Sequence, residues 1–199
     1  MAILYGVKKV VITELEKTTE MPASQSPKQA EIKTAEEIEC EPIVSEGDEE
    51  ILRNDDSLLA VVNTDDILYG YNLTLKDNTF GAIVASIICG MEVGTATDTA
   101  DKEAKKLSTP MIGTVGANKL FKIDIYVANY KGASIVNYCK LTFNKCKGSA
   151  LAFKAGKEFS APEFAIKSRE ATIANKPIME IDFVKTLPAD LVAQASETK

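Results

Sequence analysis

Over run after run of this chain, apolar residues recur at every second position, with turn residues between the runs. From Ile67 to Lys76 (ILYGYNLTLK), Ile67, Tyr69, Tyr71, Leu73 and Leu75 share one parity. From Leu120 to Ala128 (LFKIDIYVA), Phe121, Ile123, Ile125 and Val127 oppose Leu120, Lys122, Asp124 and Tyr126. A period of two places alternate side chains on opposite faces of a sheet, and it is the pattern of a half-buried strand rather than a helix. Ala2–Leu15, Gln29–Val44, Leu58–Asn63, Glu163–Ser168, Leu151–Lys154 and Ile178–Val184 read as further strands, and Ile135–Asn144 returns across a turn at Lys131–Ser134 to make a hairpin. Only Phe80–Cys89 (FGAIVASIIC) reads as a helix, with a buried strand as the alternative that periodicity does not separate from it; Asp77, Asn78 or Thr79 would be its cap and Gly90 its stop. The expected fold is mainly β: an antiparallel β-sandwich or partial barrel with one short helix packed against it. Residues 1–185 read as a single domain and 186–199 as a polar C-terminal tail. Two segments, 16–28 and 92–118, read as long loops, the second with a helical turn near Thr99–Leu107.

Absences narrow the chemistry. The chain of 199 residues contains no histidine, which removes the Ser-His-Asp triad, the Cys-His pair and every His-ligated metal site. Its four cysteines, Cys40, Cys89, Cys139 and Cys146, show no CxxC spacing and are expected to be reduced and mostly buried. No catalytic residue, metal site or cofactor emerges. No apolar run is long enough to span a bilayer and the start lacks the pattern of a signal peptide, so the expectation is a soluble protein kept inside a cell, without a membrane partner.

Charge is distributed unevenly. Residues 1–78 carry 7 Lys and Arg against 17 Asp and Glu, whereas residues 119–169 carry 10 against 3. Within 29–43, Ile32, Ile38 and Cys40 share one parity, and Glu31, Lys33, Glu37, Glu39 and Glu41 share the other, so this strand is expected to have an acidic face. The late hairpin is rich in lysine, including Lys122, Lys140 and Lys145. A molecule with an acidic and a basic side suits binding to copies of itself. Phosphate binding by these lysines is disfavoured by the net charge of −6. The pairs Asp55-Asp56 and Asp65-Asp66 lack the spaced ligands of a calcium loop and read as solvated turns.

The stretch EGDEEILRNDDSLLAVVNTDDILYGYNLTLKDNTFGAIVASIICG, the hairpin FKIDIYVANY…YCKLTFNKCKG, the following FKAGKEFSAPEFAIKSRE and the opening YGVKKVVIT resemble the major tail (tail tube) proteins of long-tailed phages of Gram-positive bacteria. The resemblance covers roughly residues 45–185. It implies a structural virion protein, not an enzyme, that is assembled in the bacterial cytoplasm. Hexameric rings, closed by strands from each subunit, would stack into the tube through which DNA leaves the capsid. Its partners would be itself, a tape measure protein, a tail terminator and a sheath, with DNA passing but not specifically bound. On this reading Glu31, Glu37 and Glu39 line the lumen, while Asp65, Asp66, Lys122, Lys140 and Lys145 meet neighbouring subunits. The alternatives are the tube of a contractile phage-tail-like bacteriocin and, in a different class, a monomeric surface- or carbohydrate-binding β-sandwich.

Overall fold

The computed structural model describes residues 3–47, 49–54, 57–95, 105–109, 119–152 and 162–191. Its body is an antiparallel sheet of eight strands. In chain order they are β1 (Ile3–Leu15), β2 (Gln29–Ile32), β3 (Ala35–Ser45), β6 (Ile67–Asp77), β9 (Leu120–Lys131), β10 (Ser134–Gly148), β11 (Glu163–Ser168) and β12 (Met179–Val184). Two ribbons stand apart from this sheet. One joins β4 (Glu49–Asn54) to β5 (Ser57–Asn63), and the other joins β7 (Glu92–Thr95) to β8 (Lys105–Ser108). The one helix among the described residues, α1, spans Ala82–Ile88. The expected mainly β, antiparallel architecture with one short helix is the architecture found.

Across the sheet the strands run β2-β1-β9-β10-β11-β6-β3. The two outermost strands, β2 and β3, are consecutive in the chain, separated only by Lys33 and Thr34. One bent segment thus serves both ends of the sheet and curls it into a partial barrel. The expected single strand at 29–44 is therefore two strands, and they hydrogen-bond to different partners, β1 and β6. The sheet also forks. Along one edge of β10, Tyr138–Phe143 pair with β12 and Cys146–Gly148 pair with β11.

Alternation fills the interior as the sequence requires. Ala30, Ile12, Ile123 and Phe143 form one row across β2, β1, β9 and β10; Ile32, Val10, Ile125 and Leu141 form the next. The opposite wall brings Leu73 and Leu75 of β6 beside Phe164 and Ile166 of β11. Burying each such side chain contributes about 1.5–3 kcal/mol. Val84, Ala85, Ile87 and Ile88 of α1 complete the same core. All four cysteines are free thiols, and burial pushes the Cys146 thiol up to about 12 and Cys40 and Cys89 up to about 11.

Some expectations shift in detail. Helix α1 begins at Gly81 without a side-chain cap. Asp77, expected as a cap, is 2 % exposed; its carboxylate accepts from Thr34 Oγ1 at 2.5 Å and from the Thr79 amide at 3.2 Å, tying β6 to the β2–β3 bend. Gly90 does end the helix region, at φ +66°. Of the loop expected at 92–118, Glu92–Thr95 and Lys105–Ser108 are paired strands, and the core of the expected helical turn lies outside the described residues. Leu151–Lys154 supplies only an isolated bridge, Ala152 to Glu163, within its described part.

Gly148 is where α1 seats on the end of β10. A Cβ there would overlap the Ile88 carbonyl oxygen, a backbone atom that cannot swing aside. Gly148→Ala is expected to lose about 1–3 kcal/mol of stability through overpacking. Urea unfolding checks this, and an unchanged midpoint would show that the helix is free to move.

Candidate assembly surfaces

The faces that carry the predicted site residues behave very differently. On β3, Ile38 and Cys40 pack toward the core while Glu37, Glu39 and Glu41 are exposed. Register places Glu37 beside Lys76, Glu39 beside Thr74 and Glu41 beside Asn72. Glu37 pairs with Lys76 at 2.8 Å, an exposed contact of the kind that contributes about 0–1 kcal/mol. Glu163 of β11 adjoins Lys76 from the other side. Glu39 and Glu41 form no ion pair among the described residues, so this outer surface keeps unneutralised negative charge.

Glu31 does not belong with that group. It sits on β2, at the opposite end of the sheet order, and its carboxylate pairs with Lys9 at 2.7 Å and Lys33 at 3.3 Å. Burial would push the Glu31 carboxyl up, but the hydrogen bonds from Lys9, the Leu191 amide and Lys33 outweigh this and hold it below the usual carboxylate range. Sequence parity joined Glu31 to Glu37 because it could not see the bend at Lys33–Thr34.

The three lysines expected to reach a neighbouring subunit are engaged within their own chain. Lys122 and Lys140 flank Asp124 at 2.8 Å and 3.3 Å, and Thr142 Oγ1 donates to the same carboxylate at 2.6 Å. Burial opposes ionisation of Asp124, yet these hydrogen bonds and positive charges hold its carboxyl below the ordinary range. Lys145 pairs with Glu20 at 2.6 Å, and Glu20 also accepts from the Ile173 amide at 2.9 Å. Burial works against the Glu20 charge too, and again the Lys145 and amide hydrogen bonds prevail and lower its pKa. Loop 16–28 therefore carries a buried carboxylate that anchors it to the body. Asp66 accepts from the Gly47 amide at 2.9 Å and so closes the joint between the β3–β6 pair and the β4–β5 ribbon; Asp65 is exposed beside it.

What sequence reading did not single out is apolar surface left in water. The first residues of β1 run beyond the core beside the β9–β10 turn. There Ile3, Leu4, Tyr5, Ile135 and Val136 are exposed, Tyr5 at 72 %. Tyr5 and Tyr130 meet edge to face with centroids 6.3 Å apart. On β12, Ile181 and Phe183 oppose Leu141 and Cys139 on the core-facing side, yet both are 57 % exposed. At the far end of β6, Ile67, Leu68 and Tyr69 are exposed as well. Alternation marks such residues as core, and only the length of each strand relative to its neighbours shows that they overshoot it. The outer backbone edges of β3 and β12 are also unpaired within the main sheet.

No protein-family model matches the chain, and no curated protein matches it.

Proposed function

We propose that this chain is the tube subunit of a long phage tail, a structural protein and not a catalyst, whose copies close into hexameric rings that stack around a channel for DNA. The observation that carries this reading is the exposed apolar surface at one end of β1, β9 and β10 together with the core-side face of β12. Contiguous apolar patches rimmed by polar residues mark sites of association. The edges of β3 and β12, which have no partner strand in the main sheet among the described residues, offer backbone pairing to the same end. The resemblance of the sequence to tail tube proteins supplies the ring and the channel.

Within this proposal the roles expected from sequence are redistributed. The lumen face narrows to Glu37, Glu39 and Glu41 on β3, and Glu31 leaves it. Subunit contact passes from Lys122, Lys140 and Lys145 to apolar residues, because those lysines have buried partners at home. Burying apolar area is also the stronger source of association energy, at about 25 cal/mol per Å², than exposed ion pairs.

Negative-stain microscopy with mass photometry over a concentration series tests the proposal. Rings with a central hole, stacking into tubes as concentration rises, are the expected result. A species that stays monomeric at high concentration and moderate salt sinks it and leaves a surface-binding β-sandwich.

A further inference from the structure

The chain beyond β12 turns back across the outer side of β1 and β2. The Lys9 side chain is 3 % exposed. Its ammonium donates to the Pro188 carbonyl at 3.3 Å, the Ala189 carbonyl at 3.1 Å and Asp190 Oδ1 at 3.1 Å. Glu31, paired with the same ammonium, accepts from the Leu191 amide at 2.9 Å. Lys33 closes the set, 2.7 Å from Asp190 and 3.3 Å from Glu31. The residues expected to form a loose polar tail are thus held through Leu191.

The two halves of this contact are unlike. Lys9 and Glu31 stand on paired strands whose register is fixed by Val10 opposite Ile32 and Val11 opposite Glu31. They would remain together with the tail gone. The tail half buries little: Pro188, Ala189 and Asp190 are exposed, and the Asp190 side chain is 70 % exposed. It is held by charge-assisted hydrogen bonds, which are strong and directional, rather than by apolar area. An ammonium that reads two successive carbonyls and the next carboxylate, beside a carboxylate that reads the following amide, is a preformed peptide receptor.

We infer that the Lys9–Glu31–Lys33 cluster is a docking site for the peptide Pro188-Ala189-Asp190-Leu191, and that this chain's own C-terminal segment occupies it as a releasable latch. The site accepts the same segment supplied in trans whenever the resident copy is displaced. Nothing in this depends on ring formation. Because the outer partners are exposed, salt weakens the latch while leaving the buried Lys9–Glu31 pair in place.

The test uses the full chain with Asp190→Arg, which sets a third cation against Lys9 and Lys33 and disables the latch in cis at an exposed position. A labelled synthetic peptide of residues 186–199 is titrated by anisotropy. It is expected to bind the Asp190→Arg chain at least tenfold more tightly than the wild-type chain, whose own latch competes, and to lose that binding when Lys9→Met is added. Hydrogen exchange on the wild-type protein gives an independent reading: the Leu191 amide should be protected, and at least tenfold less so in Asp190→Arg. A Leu191 amide exchanging at the free-peptide rate in the wild type, or equal peptide binding to all three chains, overturns the inference.

Discussion

Replacing Lys145 with methionine should unfold the subunit more readily than any surface change of similar size, by about 3–5 kcal/mol, because it strands a buried carboxylate. Glu20 is 5 % exposed, and Lys145, at 2.6 Å, is its sole ion-pair partner among the described residues. The Ile173 amide contributes a hydrogen bond but no countercharge. The same substitution should change the response to acid. Lys145 helps hold the Glu20 pKa below its unfolded value. The stability from that depression is present above the ordinary carboxylate pKa and is lost as pH falls through the folded pKa. Without Lys145 the burial is less well opposed, Glu20 takes up its proton at higher pH than in the wild type, and acid unfolding begins earlier. Urea and acid titrations followed by circular dichroism read both effects. Glu20→Gln with Lys145→Met should recover much of the loss, since it removes the stranded charge. If Lys145→Met alone costs under about 1 kcal/mol, the pair is only a surface contact.

Reversing charge on the exposed face of β3 should alter transport rather than folding. Glu39 and Glu41 face Thr74 and Asn72 across the ladder, so Glu39→Lys with Glu41→Lys removes no ion pair among the described residues. The subunit should fold normally. If this face lines the channel of the proposed tube, tubes should still form, but their walls would now attract phosphate. DNA would be retained at low salt and released as salt rises. Each lysine–phosphate contact steepens the fall of log K with log salt concentration by about 0.9 for a duplex. Microscopy of the double variant together with a DNA retention assay over a salt series decides. Loss of tubes would place the face in a subunit contact, and tubes that retain no DNA would place it on the outside.

Most of the fold was legible because alternation is a local signal. The strands at Ile67–Lys76 and Leu120–Ala128, the turn at Lys131–Ser134 and the Gly90 stop could each be read from a few neighbouring residues. The bend at Lys33–Thr34 could not, because both halves of 29–45 keep strand character and only their partners differ. The partners that the lysines find within their own chain were not legible either, because a cation looks the same in sequence whether it faces water or a carboxylate. Lys122 and Lys140 meet Asp124 of their own hairpin, whereas Lys145 meets Glu20, and Lys9 meets Pro188–Asp190, from more than a hundred residues away. The apolar overshoot at Ile3–Tyr5, Ile181 and Phe183 was hidden because an apolar residue looks the same in sequence whether or not its neighbours extend far enough to cover it.

The pairing of β1 with β9 also sets a clock during synthesis. Ile3–Leu15 leave the ribosome well before their partner on one side, Leu120–Lys131, which is made more than a hundred residues later. At about 5–20 residues per second, that is a wait of roughly 5–25 seconds. Throughout it the apolar face of that strand, with Val10 and Ile12, has at most the four residues of β2 to pair with. The hairpin of β9 and β10, by contrast, can form almost as soon as it emerges. The nascent chain is therefore built around its β9–β10 hairpin, and β1 is a strand that gains from a chaperone's cover until that hairpin is made.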